Sequence, residues 1–381
     1  MLKDAKIIKS PINFKDAILA FGTELKNTFC LAKHKHIYLS KNNGDLEDFE
    51  KFLKYEKAIP LLIKNLKAKP KIIAYDLHPG YHSTKLALDF AKKNAIDKAI
   101  GIQHHHAHIA AAMLFNKIKG KVIGVAFDGT GYGSDGNIWG GEFLVADFAD
   151  SKRVAHLKYI PMPGANLAIL EPWRMSISWL NSIFKDKVLK LDIDFIKKLN
   201  KTKLKIVKQM LDKDINSPLT SSMGRLFDAA ASLITKREKV EFEAQGPMEL
   251  EEMAFSAIDS SFSSYSFKIN ENGYLIIDPS LMFRQIIKDL KKKTSKDKMA
   301  YKFHCTVAKM VKDVCLILRK KNNLNKVVFS GGVFQNRIVS ELAQDLLRKE
   351  KFKVFIHKDI PVNDAGISIG QAIIANAKSR Q

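Results

Sequence analysis

The sequence predicts an α/β protein built as two similar lobes with a ligand cleft between them. Two observations carry this expectation. One order of elements, strands followed by alternating helix and strand, occurs twice along the chain. Between the third strand of the second copy and its last units runs a long stretch of helical periodicity, which reads as an insertion. The size agrees. A chain of 381 residues, 46% hydrophobic and 27% charged, can bury a large core, and these proportions exclude a disordered, collagenous or low-complexity polypeptide.

In the first copy, apolar runs predict short strands at 17–22, 28–32 and 37–40, then a helix over 46–67. A strand at 71–76, a helix at 83–94, a strand at 99–103 and a helix at 105–117 complete it. The second copy opens with a strand at 121–128 and continues with strands near 138–146 and 154–160. It closes with a strand at 326–330, a helix at 335–350, a strand at 352–356 and a helix at 364–377. The insertion covers roughly 171–321 and contains a hairpin at 265–277, where Asn272 and Gly273 supply the turn. The lobes are therefore expected at 1–119 and 120–381, with the last helix packing back on the first lobe. This duplicated order is similar to that of the actin/hexokinase/Hsp70 (ASKHA) superfamily.

The net charge of +23 would suit a nucleic acid, an anionic membrane or an acidic partner. Only nine of the 63 cations are Arg, however, and no basic run is interleaved with aromatic residues, so nucleic-acid binding is not expected. Lysines spread along solvent-facing helix positions explain the charge. Cys30, Cys305 and Cys315 form no close pair, which argues against a disulfide scaffold or a cysteine zinc finger and for a reducing compartment. No run approaches the ~18 apolar residues that span a bilayer. The first twenty residues carry charge too early for a secretory signal. A soluble, cytoplasmic protein is expected, with no membrane contact.

The densest chemical signal is the run Gln103-His104-His105-His106-Ala107-His108, four of the eleven histidines in five positions. His104 and His108, at i and i+4 near a helix start, share a face and can bind one ion, although a surface His cluster without metal is the plain alternative. Asp128 ends a buried-looking strand, where open α/β sheets place their ligands. Asp364 opens the last helix, where its plain role is an N-cap. Two His with two Asp make a mixed N/O set suited to Fe(II), Mn(II) or Zn(II). Two glycine turns add a second signal. Asp128-Gly129-Thr130-Gly131-Tyr132-Gly133-Ser134-Asp135-Gly136 reads as a hairpin loop and Ser330-Gly331-Gly332-Val333 as a strand-to-helix turn, both places where backbone N–H groups can approach phosphate. Simple tight turns are the alternative; their matching positions in the two copies favour a nucleotide cleft.

Taken together, the segments identify a resemblance. Gly22-Thr23-Glu24-Leu25-Lys26-Asn27-Thr28, Gly44-Asp45-Leu46, Asp76-Leu77-His78-Pro79, the His run, the 128–136 loop, Ile138-Trp139-Gly140-Gly141-Glu142 and Glu171-Pro172-Trp173-Arg174 match in order. So do Ser221-Ser222-Met223-Gly224-Arg225-Leu226-Phe227-Asp228, Phe303-His304, Ser330-Gly331-Gly332-Val333-Phe334-Gln335-Asn336 and Pro361-Val362-Asn363-Asp364. Over nearly its whole length the chain resembles the C-terminal carbamoyltransferase region of the HypF hydrogenase maturation proteins. Their relatives, the Kae/TsaD tRNA-modifying proteins and the antibiotic O-carbamoyltransferases, fit the wording of these segments less well.

The resemblance implies metal-assisted transfer of carbamoyl from carbamoyl-adenylate, made from ATP, to the C-terminal cysteine of a HypE-like partner during cyanide-ligand synthesis for nickel-iron hydrogenase. It implies one divalent ion, Fe or Zn, held by His104, His108, Asp128 and Asp364. Nucleotide contacts would fall on Gly129, Thr130, Gly131, Gly133, Arg225, Asp228, Gly246, Gly331, Gly332 and Asn336, with Asp228 accepting from ribose hydroxyls. Lys26 and Asn336 would face the phosphates as catalytic groups. The family's acylphosphatase-like, zinc-finger and YrdC-like segments do not occur in this sequence, so the adenylate is expected from a separate YrdC-domain protein. Locally, the family's Pro-Gly-Gly-Asp turn reads Pro163-Gly164-Ala165-Asn166, and an Asn stands where the family's His precedes Gly44. Two other readings remain at this point: O-carbamoyl transfer to a small hydroxylated metabolite, and a nucleotide-binding assembly scaffold.

Overall fold

In the computed structural model, which describes residues 5–258, 263–357 and 359–380, the chain opens with a long antiparallel pair. Strand β1 (Ala5–Ala20) runs against β2 (Cys30–Ser40). The three short strands expected here are pieces of these two. The register slips on either side of Phe14, whose partner His34 has φ +54, and such a bulge interrupts the apolar alternation. Helix α1 (Phe49–Asn65) follows, its first N–H groups satisfied by the Asp48 carboxylate. Then come β3 (Pro70–Asp76), α2 (His82–Lys93), β4 (Lys98–Ile102) and α3 (His104–Phe115). The first sheet has the order β2-β1-β3-β4, with β1, β3 and β4 parallel.

The second sheet starts with the antiparallel meander β5 (Val122–Tyr132), β6 (Ile138–Ala146) and β7 (Ser151–Leu157). The first part of the glycine-rich stretch expected as a loop, 128–132, is strand. Gly131 and Tyr132 pair with Trp139 and Ile138 beyond a register slip, so the hairpin turn falls in the second half of that stretch, where Gly133 donates to the Asn137 carbonyl. The insertion comprises β8 (Ile160–Pro161), α4 (Leu167–Leu170), α5 (Trp173–Phe184), α6 (Asp194–Lys198), α7 (Lys201–Asp212), β9 (Leu219–Thr220), α8 (Met223–Thr235) and α9 (Gln245–Phe255). It continues through the hairpin β10 (Lys268–Asn272) and β11 (Tyr274–Asp278), turning at Gly273 as expected, then α10 (Ser280–Lys291) and α11 (Lys296–Asn322). Its apolar faces bury Trp179 against Phe283 and Phe227 against Phe303 in one cluster with the second sheet.

The chain then re-enters that sheet with β12 (Lys326–Ser330), α12 (Arg337–Lys349), β13 (Lys353–Phe355) and finally α13 (Ile367–Lys378). The order β10-β11-β7-β6-β5-β12-β13 repeats the first sheet's plan: antiparallel partners on one side, and β12 and β13 added parallel to β5 on the other. Helices α3 and α13 carry apolar or small residues on every side and are buried on every side, as a helix between two layers must be. Helix α13 packs its isoleucines with Ile18, Cys30 and Ile72 of the first sheet, while α3 lies against α13, β5 and β12. All three cysteines are free and buried, and among the described residues no helix is long and apolar enough to cross a membrane.

Candidate metal centre and nucleotide cleft

The carboxyl ends of the parallel strands of both sheets meet in one place, which is where open α/β sheets bind ligands. Asp76 ends β3, His104 follows β4, Asp128 lies in β5 just past its pairing with β12, Ser330 ends β12, and His357 follows β13. At that junction His104 and His108 turn Nε2 toward two carboxylates. His104 Nε2 stands 3.4 Å from Asp128 Oδ2 and 3.9 Å from Asp364 Oδ1; for His108 the distances are 3.1 and 3.4 Å. One ligand atom from each of the four residues lies within 4.8 Å of the others. Atoms sharing an ion at about 2.0–2.2 Å lie ~3–4 Å apart, so two imidazoles and two carboxylates at this spacing fit a divalent ion such as Fe(II), Mn(II) or Zn(II).

Three of the four candidate ligands are oriented from behind. His104 Nδ1 is 2.8 Å from the buried Asp76 carboxylate, and His108 Nδ1 is 3.2 Å from Ser330 Oγ. Asp128 Oδ1 accepts from the N–H groups of Gly129 and Gly332 at 2.9 and 3.0 Å, which leaves Oδ2 for the centre. Asn363, not Asp364, caps the turn ahead of α13 by accepting from Ala365 N–H, so the Asp364 carboxylate is free to face the imidazoles. Burial opposes charge on His104, but Asp76, Asp128 and Asp364 overcome it and hold the ring well above its ordinary value. His108 is raised against the same burial by Asp128 and Asp364. Burial likewise opposes ionisation of Asp128, and the two imidazoles hold it well below the usual carboxylate range. The arrangement favours positive charge at its centre.

Beside it opens a cleft of about 390 Å³, lined by Lys26, Asp128, Gly129, Thr130, Arg225, Gly332 and Asn336 among others. Lys26 reaches it from the first lobe, exposed at the turn between β1 and β2 with φ +48. From the second lobe, the N-terminus of α8 abuts the strand edge, because Gly224 lets the helix approach Gly129; a Cβ there would sit 2.8 Å from Gly129 Cα. Arg225 is buried at this end, with Nη2 3.3 Å from Glu243 and Nε 2.8 Å from Asp228. The Asp228 contact is close but misaligned: Nε, Nη1 and Asp228 Oδ2 make no hydrogen bond among the described residues. Burial pushes Asp228 up to about 6 despite Arg225.

Not every anticipated nucleotide residue meets the cleft. Gly131 backs onto the His104 and His105 rings, Gly133 packs behind Trp139, and Gly246 lies in α9 against Ala231. Gly331, at φ +101, makes room for the Phe127 carbonyl, and Asp228 sits below the lining. Asn336 lines the cleft, yet its amide is engaged: Oδ1 caps α12 at Val339 N–H, and Nδ2 donates to His304 Nε2. Sequence reading did not single out Asp76, Ser330, His357 or Glu243 as site groups. The strand-end rule that found Asp128 applies equally to Asp76.

Comparisons with known proteins identify the family of the chain. The family described as "HypF Kae1-like domain" matches residues 13–114, and "Carbamoyltransferase, Kae1-like Domain, second subdomain" matches residues 124–371. "Carbamoyltransferase HypF2" of Cupriavidus necator is 31% identical, over 94% of this chain and 46% of its own length. A "Carbamoyltransferase HypF homolog" of the same organism is 31% identical over 94% of this chain and 91% of its own. The "Probable carbamoyltransferase HypF" of Methanocaldococcus jannaschii is 30% identical over 96% and 47%. Apart from that shorter homolog, the chain spans about half the length of these curated relatives. Among solved structures, full-length HypF in a phosphate- and nucleotide-bound form superposes with TM-score 0.90 at 40% identity, over 97% of this chain and 57% of that one. HypF of T. kodakarensis gives TM-score 0.88 at 29% identity, over 99% and 49%. With matches running through both lobes, the chain belongs to the HypF family and corresponds to its C-terminal, Kae1-like region.

Proposed function

We propose that this chain is a carbamoyltransferase of nickel-iron hydrogenase maturation, moving the carbamoyl group from carbamoyl-adenylate to the C-terminal cysteine of a HypE-like protein. The observation that carries the reading is the double role of Asp128. Its Oδ2 faces the imidazoles, while the peptide that follows it forms the cleft wall. A nucleotide lying along Gly129 and Thr130 has its acyl end at His104, His108 and Asp364.

In this reading the partner's thiolate attacks the carbamoyl carbon, the C–O bond to the phosphate of AMP breaks, and AMP departs with that electron pair to leave a thiocarbamate. A divalent ion held by the four ligands supplies Lewis acidity for the carbonyl. The chain's own groups bind and orient. Lys26 brings a cation to the phosphate from the first lobe, and the N-terminus of α8 presents its positive end to the same anion. Arg225, which lines the cleft, holds the ribose end with Asp228 behind it, and Asn336 keeps the start of α12 fixed beside it. The protein's thiols are poor acceptors: burial pushes Cys30 up to about 12 and raises Cys305 and Cys315. The attacking thiolate therefore comes from a partner, and a YrdC-domain protein is the proposed source of adenylate.

The test is mass spectrometry of a HypE-like protein incubated with this chain, a YrdC-domain protein, ATP and carbamoyl phosphate. A carbamoyl increment on the partner's C-terminal cysteine, lost with His104→Ala, is expected. No increment with nucleotide still bound would overturn the acceptor assignment.

A further inference from the structure

His104 and His108 reach the centre through the same ring atom but are held from behind by different chemistries. His104 Nδ1 faces a carboxylate, which only accepts, so its proton has one place to go. His108 Nδ1 faces Ser330 Oγ, and a hydroxyl can donate or accept. Ser330 Oγ in turn lies 2.8 Å from Nε2 of His357, whose Nδ1 is buried with no hydrogen-bond partner among the described residues. The alignment follows from sheet register. Val328 of β12 pairs with Phe355 of β13, so two residues further on Ser330 and His357 stand side by side on one face. Burial pushes His357 down to about 3, so its ring is neutral and carries a single N–H.

We propose that Ser330 and His357 are positioning residues of the metal centre, a hydrogen-bond relay that holds His108 in the tautomer whose Nε2 lone pair faces Asp128 and Asp364. The inference rests on the metal-centre reading above. An imidazole that ligates through Nε2 carries its proton on Nδ1, and the group behind it selects that tautomer. Here Nδ1–H of His108 donates to Ser330 Oγ, the Ser330 hydroxyl donates to His357 Nε2, and His357 keeps its proton on Nδ1. Reversing every donor gives the other state of the relay. His357 Nε2–H then donates to Ser330, Ser330 donates to His108 Nδ1, and the His108 proton points at Asp128 with no lone pair left for an ion. Removing either member unlinks the tautomer from the relay while leaving all four ligands in place.

Zinc affinity of the purified chain, measured by competition with a chromophoric chelator, tests this alongside the visible absorption of the Co(II)-loaded protein. Ser330→Ala and His357→Phe are each expected to weaken Zn(II) binding about 10- to 100-fold and to change the Co(II) spectrum. Ser330→Thr, which keeps the hydroxyl, is expected to restore both. A merely structural role would lower the melting temperature of the metal-free variants and leave the Co(II) spectrum as in the wild type. Wild-type affinity and spectrum in both the Ala and Phe variants overturn the relay. Failure of the unmodified chain to bind either ion overturns the metal-centre reading itself, a result distinguishable from loss of the relay alone.

Discussion

Asp228 shows how a buried carboxyl burdens the fold. Its carboxyl is held at about 6 mainly by burial, with Arg225 pulling it down and Glu243 adding to the rise. Because the folded state holds this proton more tightly than the unfolded chain, stability contributed by the neutral acid is lost as pH rises from about 4 to about 6, and above that range ionisation works against folding. Asp228→Asn should therefore raise stability at pH 7 by roughly 1–3 kcal/mol, flatten that part of the pH profile, and weaken nucleotide binding. Chemical denaturation at pH 4, 6 and 7 checks it; a destabilised variant at pH 7 would show that the pairing with Arg225 outweighs burial. At this scale the candidate ligands were legible because His and Asp advertise their chemistry. Their supports were not. Asp76 lies 28 positions from His104 and Ser330 lies 222 from His108, so only the folded chain pairs them.

At the scale of elements, the crossing of α3 and α13 sets the ligand geometry, since one helix carries both imidazoles and the other begins beside Asp364. Gly370 lets them touch: a Cβ there would lie 1.9 Å from the carbonyl oxygen of Ala107, a main-chain atom that moves only with its helix. Gly to Ala inside a helix ordinarily gains about 1 kcal/mol. Here the sign reverses. Gly370→Ala should cost about 1–3 kcal/mol and lower zinc affinity with it, as read by denaturant unfolding and metal titration. A stabilised variant with normal affinity would mean that the helices can part without disturbing the site. The helices of the two copies were legible to within a few residues, because 3.6-residue periodicity is a local signal. The opening strands and the 128–132 stretch were not. Bulges at Phe14 and after Phe127 break the alternation that sequence reading relies on, and only the partner strand shows that pairing continues.

Across the whole molecule, the two sheets are joined by an exchange that makes the centre a property of both lobes. Asp128 belongs to the second sheet. Asp364 precedes a helix that follows β13 in the chain yet is fastened to the first sheet's opening turn. Gly22 N–H donates to Gln371 Oε1 at 2.8 Å, Gln371 Nε2 donates to the Gly22 carbonyl at 3.0 Å, and Thr28 Oγ1 reaches Ser368 Oγ and the Ala365 carbonyl. An ion held by all four ligands therefore bridges the lobes, and its affinity includes the cost of keeping α13 seated. Gln371→Ala touches no ligand, but it leaves two buried main-chain groups of Gly22 unpaired, a loss of about 1–3 kcal/mol each. It also loosens the loop that carries Lys26. The expected result is lower stability together with weaker zinc binding and a smaller rise in melting temperature on adding zinc, since a ligand stabilises by about 2.7 kcal/mol only when present at a hundredfold excess over its Kd. If Gln371→Ala loses stability but keeps wild-type zinc affinity, the ligand cluster is seated independently of α13, and the coupling between lobes has to run through α3 alone.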